Sequence, residues 1–298
     1  MNNTYVLADV HGHSKTLKRL LSKISPSSDD IFYVLGDMID RGPDPVGVIR
    51  LCRELPNANV IIGNHEDLML KHWNTHNRLC GEYGWKRDDV ASIGATFSLL
   101  QRRGLGWRIE DALPTLAGFS SLVAEERLSI LSWIGELPLY AYCRIESRLY
   151  ILVHAGIRCP QDSFTKTVMS DRDLDRLLES QRDQDLLNIR SAFWYQPTGL
   201  VNSEGEGPIV IAGHTATCSI GVLRKGFIAA RALRPSRTSV DGKGRCQMVA
   251  FGGTRRTGHI PDKIAIDCGA AGGPPKGQVL ILRLNDMHEF YEPVLDDE

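Results

Sequence analysis

No run of apolar residues in this chain approaches the roughly 20 needed for a membrane-spanning helix, so no helical membrane anchor is expected. None of the seven cysteines forms a C-x-x-C pair, and their spacing is irregular. That fits reduced thiols in a cytoplasmic protein better than a disulfide framework. The opening stretch, MNNTYVLADVHGH, has no basic start, and Asp9 breaks its apolar run almost at once. Export through a signal peptide is therefore not expected. There is no excess of one charge either. A formal net charge of −1 gives no global reason to expect nucleic acid or an anionic membrane as a partner. Internal repeats, heptads and linkers are also missing.

What remains is the composition of a soluble globular enzyme: 298 residues, 42% hydrophobic and 24% charged. The first third alternates strand and helix signals. Strands are predicted at Tyr5 to Ala8, Ile31 to Leu35 and Asn59 to Ile62. Helices are predicted from a Ser14 cap to about Ile24, over Val46 to Leu55, and from near His65. This order implies a parallel sheet covered by helices. In such sheets ligands bind at the carboxyl ends of the strands, and Asp9, Asp37 and Asn64 follow those ends. The stretch from about Asp88 to Leu137 reads as a helical cap. Strand character resumes at Tyr140 to Cys143, Leu149 to Val153 and Ile209 to Ala212. It returns at Phe227 to Ala230, Met248 to Phe251, Ile264 to Ile266 and Val279 to Leu282. Between them, Leu174, Leu177 and Leu178 mark a surface helix. The expected architecture is α/β, a single domain over 1–298 with two packed mixed β-sheets flanked by helices.

Five short strings carry the chemistry: ADVHGH (8–13), GDMIDRG (36–42), GNHE (63–66), HAG (154–156) and GHT (213–215). Each follows a predicted strand and brings Asp, Asn or His to the loop beyond. Any one of them alone has an ordinary structural reading, as a surface or satisfied core histidine. Five glycine-flanked polar strings at five strand ends are hard to explain by folding alone. Carboxylate, carboxamide and imidazole together suit a hard to borderline divalent metal, and the absence of Cys from the set argues against structural zinc. Asp9, His11, Asp37, Asn64, His154 and His214 supply enough ligands for two ions if Asp37 bridges them.

In order and content these strings resemble the phosphoprotein phosphatases within the calcineurin-like metallophosphoesterases, nearest to the bacterial and phage-type Ser/Thr protein phosphatases. The likeness runs from Val6 to about Leu284, and the late string IDCGA (266–270) resembles the family's Asp-x-Gly-Ala stretch. It implies the calcineurin-like fold, with two divalent ions, Mn ahead of Fe, Zn or Mg. One ion would be held by Asp9, His11 and Asp37, the other by Asp37, Asn64, His154 and His214. Arg41 would bind phosphate oxygens, and Arg190, in the string LNIRSAFW (187–194), is the candidate second arginine ahead of Arg158, Arg172, Arg176 and Arg182. His65, paired with Asp40, would protonate the leaving group. Water would attack phosphorus in line, and no nucleophilic Ser or Cys is implied.

Three functions are in play. The first is a phosphomonoesterase acting on phosphorylated protein or a small phosphate ester. The second is a symmetrical dinucleoside tetraphosphate or nucleotide hydrolase, and the third a non-catalytic binding protein. The third has no need for the His65 and Asp40 pair. Nucleotide-cleaving relatives carry Ala where Asp40 stands and G-N-H-D in place of G-N-H-E, so the first is preferred. Residues given no role take ordinary readings: His13, His72, His76, His259 and His288 on the surface, and the tryptophans packing helices on the sheets. Residues 222–263 hold ten Lys or Arg against two Asp. They read as a basic hairpin or loop excursion at about 231–262.

Overall fold

Alternation along the strands builds two sheets with three apolar layers. The structure, a computed structural model, describes residues 2–298 apart from 87–89, 105–106, 159–169, 191–192, 195–196, 203, 224–234, 256 and 297. The first sheet takes β1 (Thr4–Leu7), β2 (Ile31–Val34), β3 (Ala58–Val60), β9 (Gln278–Arg283) and β10 (His288–Pro293), ordered β10-β9-β1-β2-β3. The second takes β4 (Tyr140–Ile145), β5 (Arg148–Val153), β6 (Ile209–Ala212), β7 (Val249–Phe251) and β8 (Lys263–Ala265), ordered β4-β5-β6-β8-β7. Both are mixed: β1, β2 and β3 run parallel, as do β5, β6 and β8, with antiparallel strands outside.

Period-two burial assigns the faces. In β1, Val6 joins the layer between the sheets, while Tyr5 and Leu7 face the helices. In β6, Ile209 and Ile211 lie in the central layer, and Val210 and Ala212 face the other side. Helices α1 (Ser14–Ile24), α2 (Pro45–Glu54), α3 (Asn64–Tyr83), α4 (Val90–Arg102), α5 (Ile109–Ser121) and α6 (Ala124–Gly135) follow the strands of the first sheet in sequence. Residues of α1, α2, α3, α5 and α6 share the core against its outer face, with Phe97 of α4. Leu174, Leu177 and Leu178 of α7 (Asp171–Glu179), with Leu186 of α8 (Asp183–Asn188), cover the second sheet. The last described α-helix, α9, spans Thr217–Leu223. No helix among the described residues is long and apolar enough to cross a membrane.

Local signals explain several ends. Asp44 caps α2, accepting from the Gly47 N–H at 2.9 Å, with Pro45 in the first turn. In α3 the Glu66 side chain reaches back to the Gly63 N–H at 3.0 Å, and Gly84 closes the helix in the left-handed region. Some expectations change. Ser14 is the first residue of α1 rather than its cap, and its hydroxyl donates to Asp44 instead. His13, His72 and His76 are buried, not on the surface. The long α3 carries the last two under the helical cap, where the His72 ring packs against Phe97, tilted by 41° with centroids 4.0 Å apart. The strand β10 was not anticipated, and Ile266, expected to end a strand, lies just past β8. The strand expected at Phe227 to Ala230 lies outside the described residues. Of the basic segment, residues 235–251 fold back antiparallel through Pro235–Phe251 and Val240–Cys246 bridges.

Candidate metal centre and active site

The parallel strands of both sheets deliver their loops to one place. Asp9 and His11 follow β1, Asp37, Asp40 and Arg41 follow β2, and Asn64 and His65 open α3. From the second sheet, His154 follows β5 and His214 follows β6. Six of these residues, Asp9, His11, Asp37, Asp40, Arg41 and His214, have φ between 47° and 70°. This left-handed backbone costs a non-glycine residue about 1–2 kcal/mol, and such strain gathers where a fold aims side chains at a site. Glycine is required beside them. A Cβ on Gly36, itself at φ 79°, would meet the Gly63 nitrogen at 2.4 Å, and one on Gly213 would meet Asp9 Oδ2 at 1.9 Å.

Asp37 is the hub. Its Oδ2 lies 3.5 Å from His11 Nε2, 3.5 Å from His154 Nε2 and 3.9 Å from His65 Nε2. Two tight groups of donor atoms share it: His11, Asp37 and His65, and Asp37, His154 and His214. Asn64 Oδ1 completes the second, 2.7 Å from His214 Nδ1 and 3.0 Å from His154 Nε2. The rings are oriented from behind. His11 Nδ1 donates to the Ile39 carbonyl at 2.9 Å and His154 Nδ1 to the Leu35 carbonyl at 2.8 Å. Each therefore presents an Nε2 lone pair to the centre. Burial lowers the pKa of all three metal-site imidazoles, that of His11 to about 3. They are neutral at pH 7. Asp9 stands at the edge, its carboxylate accepting the His214 N–H at 2.9 and 3.1 Å. Burial, and the charges of Asp267 and Asp37, raise the Asp9 carboxyl well above its ordinary range. Buried carboxylates that repel one another, surrounded by neutral imidazole lone pairs, are a donor set that divalent cations fit.

His65 is set apart by a second network. Its Nδ1 is 2.5 Å from Asp40 Oδ2. Trp107 Nε1 donates to the same oxygen at 2.6 Å, and the Thr115 hydroxyl donates to Asp40 Oδ1 at 2.5 Å. Burial pulls the His65 pKa down, but Asp37 and the Asp40 hydrogen bond outweigh it, leaving about 8. Arg41 Nη2 lies 3.3 Å from His65 Nε2, and its Nε is 3.8 Å from Asp111. Arg190 is exposed, and its charge lowers the pKa of His154 and His214. Its competitors Arg158 and Arg182 are instead paired with Asp185, at 2.8 and 2.7 Å.

Sequence reasoning missed three supports. Glu66, fully buried, accepts N–H groups of Asp37, Met38, Ile39 and Gly63 at 2.8–3.3 Å and so holds the bridging loop. Its signal was present: it stands three residues after the Gly63 cap. Trp107 and Thr115 had none, because nothing local links them to a residue some seventy positions earlier.

Over residues 3–218 the sequence matches the model of the calcineurin-like phosphoesterases, and the chain belongs to that family of metallophosphoesterases. Among curated proteins it is 31% identical over 180 residues to the symmetrical bis(5'-nucleosyl)-tetraphosphatase of Acidovorax sp. (strain JS42), covering 59% of this chain and 52% of that protein. It is 26% identical over 178 residues to the enzyme of that name from Coxiella burnetii (strain Dugway 5J108-111), covering 59% and 49%. The chain spans about half the length of these relatives. A solved candidate diadenosine tetraphosphatase superposes with a TM-score of 0.51 at 15% identity, covering 99% of this chain and 95% of the other. That likeness is one of fold.

Proposed function

We propose that the chain is a two-metal phosphohydrolase whose substrate class is the dinucleoside tetraphosphates. Asp37, shared by the His11 and His65 group and the His154 and His214 group, carries the phosphohydrolase reading. The names of its curated relatives support the substrate class, which the sequence alone had ranked second. Asp9, His11 and Asp37 would hold one ion, and Asp37, Asn64, His154 and His214 the other. Bound there, the ions would acidify a water and offset charge on the phosphoryl oxygens.

The chain's own residues do the rest. Arg41 and Arg190 bind phosphate oxygens, Arg41 with the geometry of its planar fork. Nε2 of His65 takes either a hydrogen bond from Arg41 or a proton, not both. Phosphate that draws Arg41 away leaves Nε2 free to carry the proton toward the leaving oxygen. Asp40 fixes that ring by its Nδ1.

This last feature favours a second reading, a phosphomonoesterase on phosphorylated protein or small esters. A nucleoside diphosphate departs as a stable anion, whereas an alkoxide needs a proton. The deciding experiment is a substrate panel in manganese with metal content measured: diadenosine tetraphosphate against phosphoserine, phosphothreonine and phosphotyrosine peptides. The first reading expects kcat/KM highest for the tetraphosphate, with two equal nucleotide products. Faster turnover of a phosphopeptide overturns it in favour of the second. No turnover of either by the metal-loaded chain overturns both.

A further inference from the structure

The helical cap encloses a cavity that the phosphohydrolase reading leaves unused. It has a volume of about 80 Å³ and lies between α3, α4, α5 and α6. Its lining is mostly apolar and aromatic, including Met69, Trp73, Trp107 and Phe119. Two features set it apart from a packing defect. His72, a lining residue only 4% exposed, has an Nε2 with no hydrogen-bond partner. An unsatisfied buried polar atom is costly, so such atoms are usually paired in folded proteins. Burial, with His76 nearby, lowers the His72 pKa to about 4, while a bond to the Ile93 backbone works the other way. The ring is neutral at pH 7, and with its proton on the nitrogen that serves Ile93, Nε2 is an acceptor.

The second feature is where the cavity leads. Trp107 and Thr115 are both part of its wall, and both donate to Asp40. Asp40 in turn holds His65. A ligand pressing on Trp107 is therefore two hydrogen bonds from the proposed proton donor.

We propose that this cavity is a binding site for a small planar heteroaromatic ring bearing one N–H donor, and that its occupancy tunes His65 through Trp107 and Asp40. Size limits the ligand: at about 80 Å³ the cavity is roughly half the void of about 150 Å³ that accepts benzene, so a single five-membered ring is the ceiling here. The donor is needed because His72 offers a lone pair. The tuning arm rests on His65 being the proton donor; the binding arm does not.

The test uses the full metal-loaded chain with pyrrole as probe and thiophene as the ring of similar size that lacks the donor. Ligand-observed NMR should show pyrrole binding more tightly than thiophene. His72→Phe should weaken pyrrole about tenfold, the worth of roughly one hydrogen bond, and leave thiophene within about twofold. Leu131→Phe, which fills the cavity, should abolish both. Equal binding of the two rings, pyrrole binding that survives Leu131→Phe, or no binding of either overturns the site. For the tuning arm, pyrrole should change turnover of an alkyl phosphate ester more than that of p-nitrophenyl phosphate, and lose this effect in Leu131→Phe. Equal effects on both esters overturn the tuning. His65→Asn without pyrrole separates the causes: if it depresses both esters alike, the proton-donor reading fails while the binding result stands.

Discussion

Replacing Asp40 by Asn isolates charge from shape. Asp40 Oδ2 accepts from both Trp107 and His65, and Oδ1 accepts from Thr115, whose oxygen in turn accepts the Asp40 backbone N–H. An asparagine with its carbonyl oxygen at the Oδ2 position keeps the first two bonds. Its amide then faces Thr115, which turns its hydroxyl away and accepts. The network stays closed, so stability should stay within about 2 kcal/mol of wild type. The lost charge acts on His65. Burial lowers that imidazole's pKa, and Asp37 and Asp40 raise it to about 8. Ions bound at Asp37 would offset its charge, leaving Asp40 to hold the proton. At pH 7.5 a group of pKa 8 is about three-quarters protonated, and one at the ordinary 6.5 about one-tenth. The acid form is the working one, so activity is lost as pH rises through this pKa. Asp40→Asn should move the alkaline limb of the pH–rate profile down by about one unit or more. Turnover of an alkyl phosphate ester at pH 7.5 should fall about tenfold from protonation alone. Because the Nδ1 bond is kept, orientation is retained, and the fall should stay below the roughly 10²–10⁴ that general-acid catalysis contributes. p-Nitrophenyl phosphate should lose much less. An unmoved limb, or equal losses for both esters, refutes the reasoning.

Glu66→Gln places an amide against backbone N–H groups that now point at a carboxylate. It should cost about 2–3 kcal/mol and weaken metal retention; a melting temperature within about 1 °C of wild type, with full metal content, contradicts the role given to Glu66. Arg190→Ala should raise the inhibition constant of orthophosphate about tenfold and leave the melting temperature unchanged, because the side chain is exposed; unaltered phosphate inhibition removes Arg190 from the site. Elemental analysis should find two ions per chain after reconstitution and fewer than one in Asp37→Asn, whereas Asp37→Asn retaining both ions argues against a shared ligand.

The strands were legible because their alternation answers to burial on one side or the other, as in Val6 against Leu7. The loops were legible because Asp9, Asp37, Asn64, His154 and His214 each follow such a strand. Less visible were features set by distant chain. The Asp40 partners lie on the cap at Trp107 and Thr115, and no period or spacing ties them to the GDMIDRG loop. His72 and His76 read as surface residues because α3 is polar along much of its length; only the packing of α4 and α5 over it turns them inward. Asp9 also accepts the His214 N–H from the second sheet, a partner some two hundred positions away that its own loop does not announce. The preference for a protein phosphatase rested on two letters, Asp40 and Glu66. Both are structural neighbours of the metal loops, and Glu66 supports backbone rather than meeting substrate.

The two sheets contribute their donors separately: the first gives positions 9 to 64, the second 154 and 214. Ions held between them would therefore act as a rivet through two plates that already meet through side-chain packing and a few hydrogen bonds, such as His154 Nδ1 to the Leu35 carbonyl and the His214 N–H to Asp9. Because binding to the folded chain alone raises its stability, each tenfold rise in free metal above the dissociation constant adds about 1.4 kcal/mol per site. Metal supply would then set how firmly the halves stay shut as well as how fast the chain turns over. A chelated sample should open first along this joint, with hydrogen exchange rising in the central layer of Val6, Leu35, Leu152 and Ile211 before the outer cores respond.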